Sequence, residues 1–370
     1  MKNKYKNKMR VMISGGGTAG HIFPALAIAD YIKKEYDSDF LFIGARNRME
    51  IEKVKKAGYK ISEIWIDGLQ RKVSIRNFLL PIKLIISFFQ SFYFLISYRP
   101  HIVVGTGGFV SGPVLFVASF LGIPTLIHEQ NSFPGITNKI LGKFVNKICV
   151  SYPNMTRFFK NKKVVLSGNP VRKELKEKVS KKKSAEYFNL NPNHTIILII
   201  GGSLGAEPIN KIIFKNLKLI EKEGFQIIWQ TGNIHYQKYK NIKLPNVRVF
   251  NFIDNMNFAY NVSDIVVSRA GAIAISEICI LKKSSILIPS PYVSDNHQYK
   301  NAKNLDDQEA TCLINEKSLD TVFWNKLKYL VENEEYRIKI AQNAYRFSSN
   351  NAEEVIVKEI DKLVFNNMFK

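Results

Sequence analysis

A glycine-rich loop near the start of the chain ends in a histidine, at residues 15–21 (GGGTAGH). Glycines let backbone N–H groups approach a ligand closely, and the positive end of a following helix favours phosphate. An imidazole at such a loop can accept a proton from an attacking hydroxyl near neutral pH. His21 is therefore a candidate catalytic base. The alternative is a histidine that caps the helix or packs in the core.

The same loop formally satisfies the dinucleotide pattern G-x-G-x-x-G. The acidic residue expected at the end of the second strand is replaced by residues 44–46 (GAR). This weakens the pattern as a dinucleotide site. Arg46 is a possible partner for a ribose 2′-phosphate, so an NADP-dependent reductase stays open as an alternative.

Two more polar clusters follow predicted strands in the first half. Residues 105–113 (GTGGFVSGP) contain more glycines than a tight turn needs, which indicates that a ligand or another chain segment passes close to the backbone. Residues 128–131 (HEQN) place four hydrogen-bonding side chains where a strand would continue with apolar ones. Both segments are therefore candidate parts of a site.

The second half carries a comparable set of loops. Residues 201–206 (GGSLGA) offer the Ser203 hydroxyl and backbone donors to a diphosphate, but they lack the lysine of a P-loop. Arg269 can meet phosphate, and Glu277 can take both hydroxyls of a ribose. The amides of residues 295–299 (DNHQY) suit sugar hydroxyls.

Parallel strands would bring such loops together. Short apolar runs alternate with helix-length amphipathic segments, which is typical of βαβ units. We predict two Rossmann-like doubly wound α/β domains, split near Gly168, with ligands at the carboxyl ends of the strands and in the cleft between the domains. The predicted strands are 11–14, 40–43, 61–66, 102–104, 125–127, 148–151, 195–200, 226–229, 247–250, 265–267, 286–288 and 311–314. The predicted helices include 24–34, 49–57, 81–98 and 112–121, and a last helix at 351–370 could cap either half.

The composition fits two folded domains. The chain has 370 residues, is 46% hydrophobic, and carries 54 Lys+Arg against 31 Asp+Glu, a net charge of +23. This excludes a disordered basic tail. The three cysteines are far apart, which argues against a disulfide framework or a zinc site and favours a reducing compartment. The charge fits nucleic acid, anionic lipid or phosphorylated substrates, or simply a lysine-rich composition.

One apolar stretch resembles a membrane segment, at residues 78–96 (FLLPIKLIISFFQSFYFLI). Lys83 interrupts it, so an interfacial or buried helix is favoured over a true span. We expect most of it to be core, with its leading end and the basic residues Arg71, Lys72, Arg76, Lys83 and Arg99 on an anionic membrane surface. No signal peptide is expected at the basic N-terminus.

Seven segments in order resemble one family: GGGTAGHIFPALAIA, GTGGFVSGP, HEQNSFPGITNK, GNPVR, GGSLGA, SRAGAIAISE and DNHQYKNA. The chain is similar over nearly its whole length to the MurG family, the bacterial UDP-N-acetylglucosamine transferases that convert lipid I to lipid II. The resemblance implies a GT-B fold, two Rossmann-like domains facing across a cleft. It implies an acceptor- and membrane-associating domain at 1–167, a UDP-N-acetylglucosamine-binding domain at 168–350 and a C-terminal helix at 351–370.

The resemblance also implies roles for particular residues. Glu277 would bind the ribose, the backbone of Ile253 the uracil, and Ser203 the diphosphate. The phosphates and the N-acetylglucosamine would be positioned by Arg172, Arg269, Gln298 and the stretch Ala272, Ile273, Ala274, Ile275 and Ser276. From the N-terminal side, Thr18, Ala19, Gly20 and Asn131 would complete the site. The family usually has glycine where Ala19 stands, and an alanine would cost about 1 kcal/mol if that position needed a positive φ.

The implied reaction is an inverting transfer of N-acetylglucosamine to the muramoyl C4 hydroxyl of lipid I, the undecaprenyl-diphospho-muramoyl-pentapeptide. His21 is the candidate base, and the Ser203 loop with Arg269 would stabilise the departing diphosphate without a metal or other cofactor. The expected location is the cytoplasmic face of the inner membrane, with no nucleic-acid partner. The remaining rivals are an RNA-binding protein, supported only by charge, and a related lipid glycosyltransferase with another UDP-sugar and a diacylglycerol acceptor.

Overall fold

A computed structural model describes residues 8–68, 79–160, 163–177, 179–202, 204–293 and 296–368. The chain divides into two units, Met1–Val171 with Asn351–Lys370 and Arg172–Asn350. The boundary lies close to the split predicted at Gly168. The last helix belongs to the first unit, which decides between the two halves that it could have capped.

The first unit is built on one parallel sheet. Its strands lie in the order β3-β2-β1-β4-β5-β6-β7. They are Met9–Gly15 (β1), Ser38–Ala45 (β2), Lys60–Ile64 (β3), Ile102–Gly107 (β4), Thr125–Glu129 (β5), Lys147–Val150 (β6) and Val164–Leu166 (β7). The helices of this unit are Ala19–Glu35 (α1), Met49–Lys56 (α2), Leu80–Tyr98 (α3), Ser111–Phe120 (α4) and Ile136–Leu141 (α5), with the C-terminal helix described below.

The second unit repeats the plan with the strand order β10-β9-β8-β11-β12-β13. Its strands are Ile196–Ile200 (β8), Gln226–Gln230 (β9), Val247–Phe250 (β10), Ile265–Ser268 (β11), Ser284–Leu287 (β12) and Cys312–Leu313 (β13). Its helices are Lys181–Phe188 (α6), Glu207–Lys215 (α7), Leu217–Glu223 (α8), Tyr236–Tyr239 (α9), Met256–Val262 (α10), Ala272–Ile280 (α11), His297–Asp306 (α12), Leu319–Glu332 (α13) and Glu334–Tyr345 (α14).

Both sheets are buried on their two faces, which is why their strands are nearly continuous apolar runs. In β8, for example, every residue is buried, and its two faces contribute to two different hydrophobic clusters. The predicted Rossmann-like architecture is confirmed in each unit. Cys149, Cys279 and Cys312 are free cysteines.

The C-terminal helix, Ala352–Met368 (α15), packs on α1 of the first unit. Ile356 and Ile360 are buried in the same cluster as Ile28 and Ile32. Glu359 forms an ion pair with Lys147 of β6 at 3.4 Å. These contacts anchor the end of the chain to the first sheet.

One strand was not predicted from the sequence, and the start of one helix was misplaced. Strand β7 was missed because it is three residues long and only partly buried, so it carries little apolar signal. Helix α1 begins at Ala19 and not at Pro24, which lies inside the helix. Proline is commonest in the first turn, where its missing N–H is not needed, but here it falls one turn later. The carbonyl of Gly20 consequently lacks its usual intrahelical partner.

Candidate active site

The two glycine loops of the first unit pack directly on one another. They follow β1 and β4, the neighbouring strands between which the strand order changes direction, and this is where ligands bind in open α/β sheets. The N–H of Gly16 donates to the carbonyl of Gly107 at 3.3 Å. A Cβ on Gly108 would lie 2.3 Å from the carbonyl oxygen of Gly16. Part of the glycine content therefore serves loop-to-loop packing and not a ligand.

Glu50 lies beneath the first loop, fully buried at the start of α2. Its carboxylate accepts hydrogen bonds from the backbone N–H groups of Gly17 and Ala45, each at 3.1 Å. The N–H of Gly17 is thus already used inside the protein. Glu50 was not predicted from the sequence, because acidic residues are common in the first turn of a helix whether or not they have a further role.

Residues 18–21 form the end of this loop and the first turn of α1. Thr18 is the exposed N-cap, and Ala19 and Gly20 begin the helix. Ala19 is not among the residues with positive φ. The alanine in place of the family's glycine therefore causes no backbone strain at this position.

The imidazole of His21 is held from one side. Its Nδ1 lies 2.9 Å from the carbonyl oxygen of Thr106 and 3.2 Å from Oε1 of Gln130. The hydroxyl of Thr106 donates in turn to the carbonyl of His21 at 2.8 Å. A carbonyl oxygen only accepts, so Nδ1 carries the proton and Nε2 of the neutral ring carries the lone pair.

The predicted cluster at residues 128–131 lies at the carboxyl end of β5. Glu129 is buried, and its carboxylate accepts from both the backbone and side-chain amide of Asn131, at 3.0 and 3.1 Å. Its other oxygen accepts from Asn138 at 2.8 Å and from the N–H of Gly135 at 3.1 Å. Asn131 is therefore fixed at the same edge of the sheet as His21.

In the second unit the glycine loop follows β8, next to β11 at the corresponding change of strand order. Gly205 has φ 87°, and a Cβ there would lie 2.0 Å from the carbonyl oxygen of Thr231. Ser203, the predicted diphosphate contact, lies outside the described residues. The role of its hydroxyl stays a prediction.

Gln230 connects this loop to the predicted uracil position. Its Nε2 donates to the carbonyl of Gly202 at 3.1 Å, and its Oε1 accepts from the N–H of Ile253 at 2.9 Å. The backbone N–H of Ile253 is thus engaged within the protein. Gln230 was missed, although a polar residue at the end of an apolar strand was a usable signal.

The stretch Ala272–Ser276 is the start of α11. Ala272, Ile273 and Ile275 are buried, so their side chains belong to the core. The first N–H groups of a helix lack intrahelical partners and favour an anion. What this stretch offers to phosphate is its backbone.

Arg172 and Glu277 are brought together in one buried cluster with Tyr260. Arg172 forms an ion pair with Glu277 at 2.8 Å. The Tyr260 hydroxyl donates to the other carboxylate oxygen at 3.0 Å, and burial, followed by the charge of Glu277, raises the pKa of Tyr260 well above its usual value. Tyr260 gave no signal in the sequence, because a buried tyrosine in a helix is ordinary core.

Arg269 and Gln298 each bond to the backbone of the turn that follows β12. Arg269 donates to the carbonyls of Ile288 and Pro289, both at 3.2 Å, and Gln298 accepts from the N–H of Ser290 at 2.9 Å. Nη1 of Arg269 also forms an ion pair with Oε2 of Glu316 at 2.6 Å. The angles of this contact are not those of a hydrogen bond, and Oε2 has no hydrogen-bond donor among the described residues. Glu316, missed in the sequence, balances the charge expected to meet phosphate.

The structure therefore gathers the predicted residues into two groups. His21 and Asn131 lie at one edge of the first sheet with residues 18–20. The second unit holds one cluster that contains Arg172 and Glu277 and another, at the turn after β12, that contains Arg269 and Gln298. Ile253 is connected to the glycine loop through Gln230. Among the described residues, no group of three His, Cys, Asp or Glu side chains could hold a metal ion.

Two protein-family models match this chain. The model of the glycosyltransferase family 28 N-terminal domain matches residues 11–150, and that of the C-terminal domain matches residues 196–360. Two curated relatives are named UDP-N-acetylglucosamine–N-acetylmuramyl-(pentapeptide) pyrophosphoryl-undecaprenol N-acetylglucosamine transferase. That of Christiangramia forsetii is 43% identical, covering 98% of this chain and 100% of the relative. That of Flavobacterium psychrophilum is 44% identical, covering 96% and 98%.

A solved structure agrees in fold. The crystal structure of Acinetobacter baumannii MurG has a TM-score of 0.75 and 27% identity, and the match covers 96% of this chain and 100% of that one. The two Rossmann-like domains are thus those of a GT-B glycosyltransferase. The chain belongs to glycosyltransferase family 28 and, within it, to the MurG family of UDP-N-acetylglucosamine transferases.

Proposed function

We propose that this protein transfers N-acetylglucosamine from UDP-N-acetylglucosamine to the muramoyl C4 hydroxyl of lipid I, giving lipid II for peptidoglycan synthesis. The observation that carries the proposal is the identity of 43% over nearly the whole chain with a relative that bears the name of this activity. The residues of both units supply the chemistry that the reaction needs.

The second unit binds the donor in this proposal. Glu277 takes the ribose hydroxyls, and the N-terminus of α11 with the loop 201–206 receives the diphosphate. Arg269 adds positive potential for the diphosphate. Its ion pair with Glu316 partly balances this charge while the donor is absent. The leaving UDP carries its new charge into this environment of backbone dipoles and arginine.

The first unit acts on the acceptor. The acceptor hydroxyl gives its proton to Nε2 of His21 while its oxygen attacks the anomeric carbon. The bond to the UDP oxygen breaks with its electron pair, and the configuration inverts. Asn131, fixed by Glu129, orients the acceptor or the sugar being transferred.

The exposed surface of helix α3 is evidence that the acceptor lies in a membrane. Its buried residues are Lys83, Ser87, Ser91 and Leu95, which recur every four residues and are mostly polar. The opposite side exposes large apolar side chains: Ile82, Ile85, Phe89, Phe92, Tyr93 and Ile96. A soluble helix buries its apolar side, so this inverted pattern favours contact with lipid.

The expectation that most of this segment is core was wrong. Only four of the 19 residues of α3 are buried, and exposed apolar residues run along its whole length. Lys83 does not reach a lipid headgroup, because it is buried in an ion pair with Asp67. Arg99 is exposed at the end of the helix, and Arg71, Lys72 and Arg76 lie outside the described residues.

Neighbouring elements extend the apolar surface of α3. Phe116 of α4 contacts Phe88 and Phe144, with ring centroids 5.6 and 5.2 Å apart. The segment 136–144 adds the exposed Ile136, Ile140 and Phe144 together with the exposed Lys143, while Lys139 is half-buried with its ammonium 3.8 Å from the ring centroid of Phe133. Apolar insertion combined with basic residues is what binds a protein to an anionic membrane surface. We place the protein peripherally on the cytoplasmic face of the inner membrane, in the synthesis that supports cell shape and division.

The decisive experiment is transfer of labelled N-acetylglucosamine to a lipid I analogue, with the product identified by mass. Parallel reactions contain UDP-glucose or UDP-galactose as donor and diacylglycerol as acceptor. We expect product only with UDP-N-acetylglucosamine and lipid I. Glycosylated diacylglycerol, or no transfer to lipid I by protein that binds UDP, would contradict the proposal.

A further inference from the structure

We propose that Gln130 and His128 are positioning residues that hold the imidazole of His21 with its lone pair on Nε2. This inference rests on the proposed function, in which His21 accepts the proton of the acceptor hydroxyl. The three side chains form a continuous series of hydrogen bonds beneath the two glycine loops.

The orientation of the Gln130 amide is determined by its neighbours. Its Nε2 lies 2.8 Å from the carbonyl oxygen of Thr106 and 3.2 Å from that of His128. Both atoms can only accept, so the amide nitrogen must occupy this position. Oε1 then faces Nδ1 of His21 at 3.2 Å, which makes His21 the donor on a second, independent ground.

His128 fixes Gln130 from the other side. Its Nε2 lies 3.0 Å from the carbonyl oxygen of Gly168, which again can only accept, so His128 carries its proton on Nε2. Nδ1 of His128 therefore presents its lone pair to Nε2 of Gln130 at 3.0 Å, and the two amide hydrogens are shared among this nitrogen and the carbonyl oxygens of Thr106 and His128. A proton on Nδ1 would oppose the amide hydrogens and turn Gln130 away from this arrangement.

The surroundings keep His128 neutral. The side chain is fully buried, and burial lowers its pKa to about 4. Ser151, which follows β6, and Gln130 contact its ring, and the adjacent Glu129 turns its carboxylate to Asn131, Gly135 and Asn138. Near neutral pH the arrangement Gly168, His128, Gln130, His21 thus has one consistent set of protons.

This arrangement prepares His21 for proton transfer. When Nε2 takes a proton, the positive charge spreads over the ring and strengthens the bonds from Nδ1–H to Thr106 and Gln130. The acceptor at Nδ1 is a neutral amide and a neutral carbonyl, so it orients the ring without adding a negative charge. A carboxylate in place of the amide would favour the charged ring before substrate arrives.

The direct test is ¹⁵N NMR of the full chain with labelled histidine, with His21 assigned by its loss in His21→Gln. We expect His21 of the wild type near pH 7.5 to show a protonated Nδ1 and an Nε2 with a lone pair. In Gln130→Met the Thr106 carbonyl at 2.9 Å still accepts from Nδ1–H, so the other tautomer should appear as a minor population; the less firmly held ring should lower kcat by about tenfold while UDP affinity is unchanged. Gln226→Met, at a buried glutamine of the other unit that binds Asn191, is the matched control.

A second variant keeps the test informative if Gln130→Met folds poorly. Gln130→Glu replaces the amide N–H groups with an oxygen that faces the carbonyl oxygens of Thr106 and His128, so the side chain should turn away and kcat should fall by about tenfold, with the other His21 tautomer detectable by NMR. A wild-type His21 protonated on Nε2, or a Gln130→Met protein with unchanged tautomer and kcat, would overturn the inference. Full turnover in His21→Ala would instead overturn the base assignment, and the NMR result would still decide whether Gln130 holds the ring.

Discussion

Arg172 and Glu277 form a buried ion pair in the second unit. Nε and Nη2 of Arg172 both reach the same carboxylate oxygen, at 2.9 and 2.8 Å, and Tyr260 donates to the other oxygen. A carboxylate oxygen has two lone pairs, so Arg172 occupies those of Oε1, and Oε2 keeps one with which Glu277 can accept from a ribose hydroxyl while the ion pair stays intact. The pair presents Glu277 in one orientation before the donor binds.

We predict that Tyr260→Phe weakens donor binding without abolishing transfer. The variant keeps the ion pair and the ring, and it removes one hydrogen bond to a charged group, worth about 1.5–3 kcal/mol. The donor KM should rise by about tenfold or more, with a smaller change in kcat. Glu277→Ala should raise the donor KM further, because it removes the ribose ligand itself.

The measurement is steady-state kinetics with varied UDP-N-acetylglucosamine, together with calorimetric titration of UDP. Tyr239→Phe is the matched control, since Tyr239 is a buried tyrosine of the same unit that packs on Trp229 at 4.9 Å between centroids. Equal donor KM values for Tyr260→Phe and the wild type would show that Tyr260 only fills space.

His21→Ala should lower kcat by about 100- to 10,000-fold, the usual contribution of a general base. UDP affinity should stay unchanged, because the residues proposed to bind the UDP part of the donor all belong to the second unit. Rapid-quench turnover with saturating donor and a UDP titration measure the two quantities. His194→Ala, at an exposed histidine, is the control, and wild-type turnover in His21→Ala would exclude it as the base.

The sequence predicted the sheets better than the contacts within the site. Buried parallel strands are short apolar runs, so β8 could be located from its residues alone. The roles of Glu50 and Tyr260 could not be predicted in this way, because they depend on neighbours far away in the chain. The loops containing Gly16 and Gly108 illustrate the same limit, since their glycines are required by contacts that only the sheet order creates.

Glu50→Gln should destabilise the first glycine loop. The carboxylate accepts from two backbone N–H groups, and a glutamine would turn its NH₂ toward one of them. The loss of one buried hydrogen bond costs about 1–3 kcal/mol. Hydrogen exchange of residues 15–21 should become faster by about tenfold or more. Glu52→Gln, exposed on the same helix, should not change it, and equal exchange in both variants would contradict the role of Glu50.

His128 should make the first unit sensitive to acid. Its pKa is about 4 in the folded state, lowered by burial, against 6.5 for an unperturbed histidine. The unfolded chain therefore binds this proton first, and stability is lost as the pH falls from about 6.5 to about 4, by about 3 kcal/mol in total. Above pH 6.5 the histidine is neutral in both states and contributes no slope.

Hydrogen exchange of the β5 amides, corrected for the intrinsic effect of pH, measures this loss. His128→Gln should show a shallower fall in protection between pH 6.5 and 4, whatever its stability at pH 7. His194→Gln, at the exposed histidine of the other unit, should keep the wild-type slope in β5. An unchanged slope in His128→Gln would mean that other groups account for the acid sensitivity.

The last prediction concerns the exposed apolar side of α3. Ile85 and Phe89 are 57% and 71% exposed, so replacing both with serine removes apolar surface without opening a cavity. The double variant should keep its thermal stability and its transfer to a soluble acceptor analogue, but it should lose flotation with anionic liposomes. Ile234→Ser, at a 66% exposed isoleucine of the second unit, is the matched control and should float like the wild type. High salt should weaken flotation of the wild type only in part, because apolar insertion is not screened. Flotation of the double variant equal to that of the wild type would show that α3 is not the membrane-binding element.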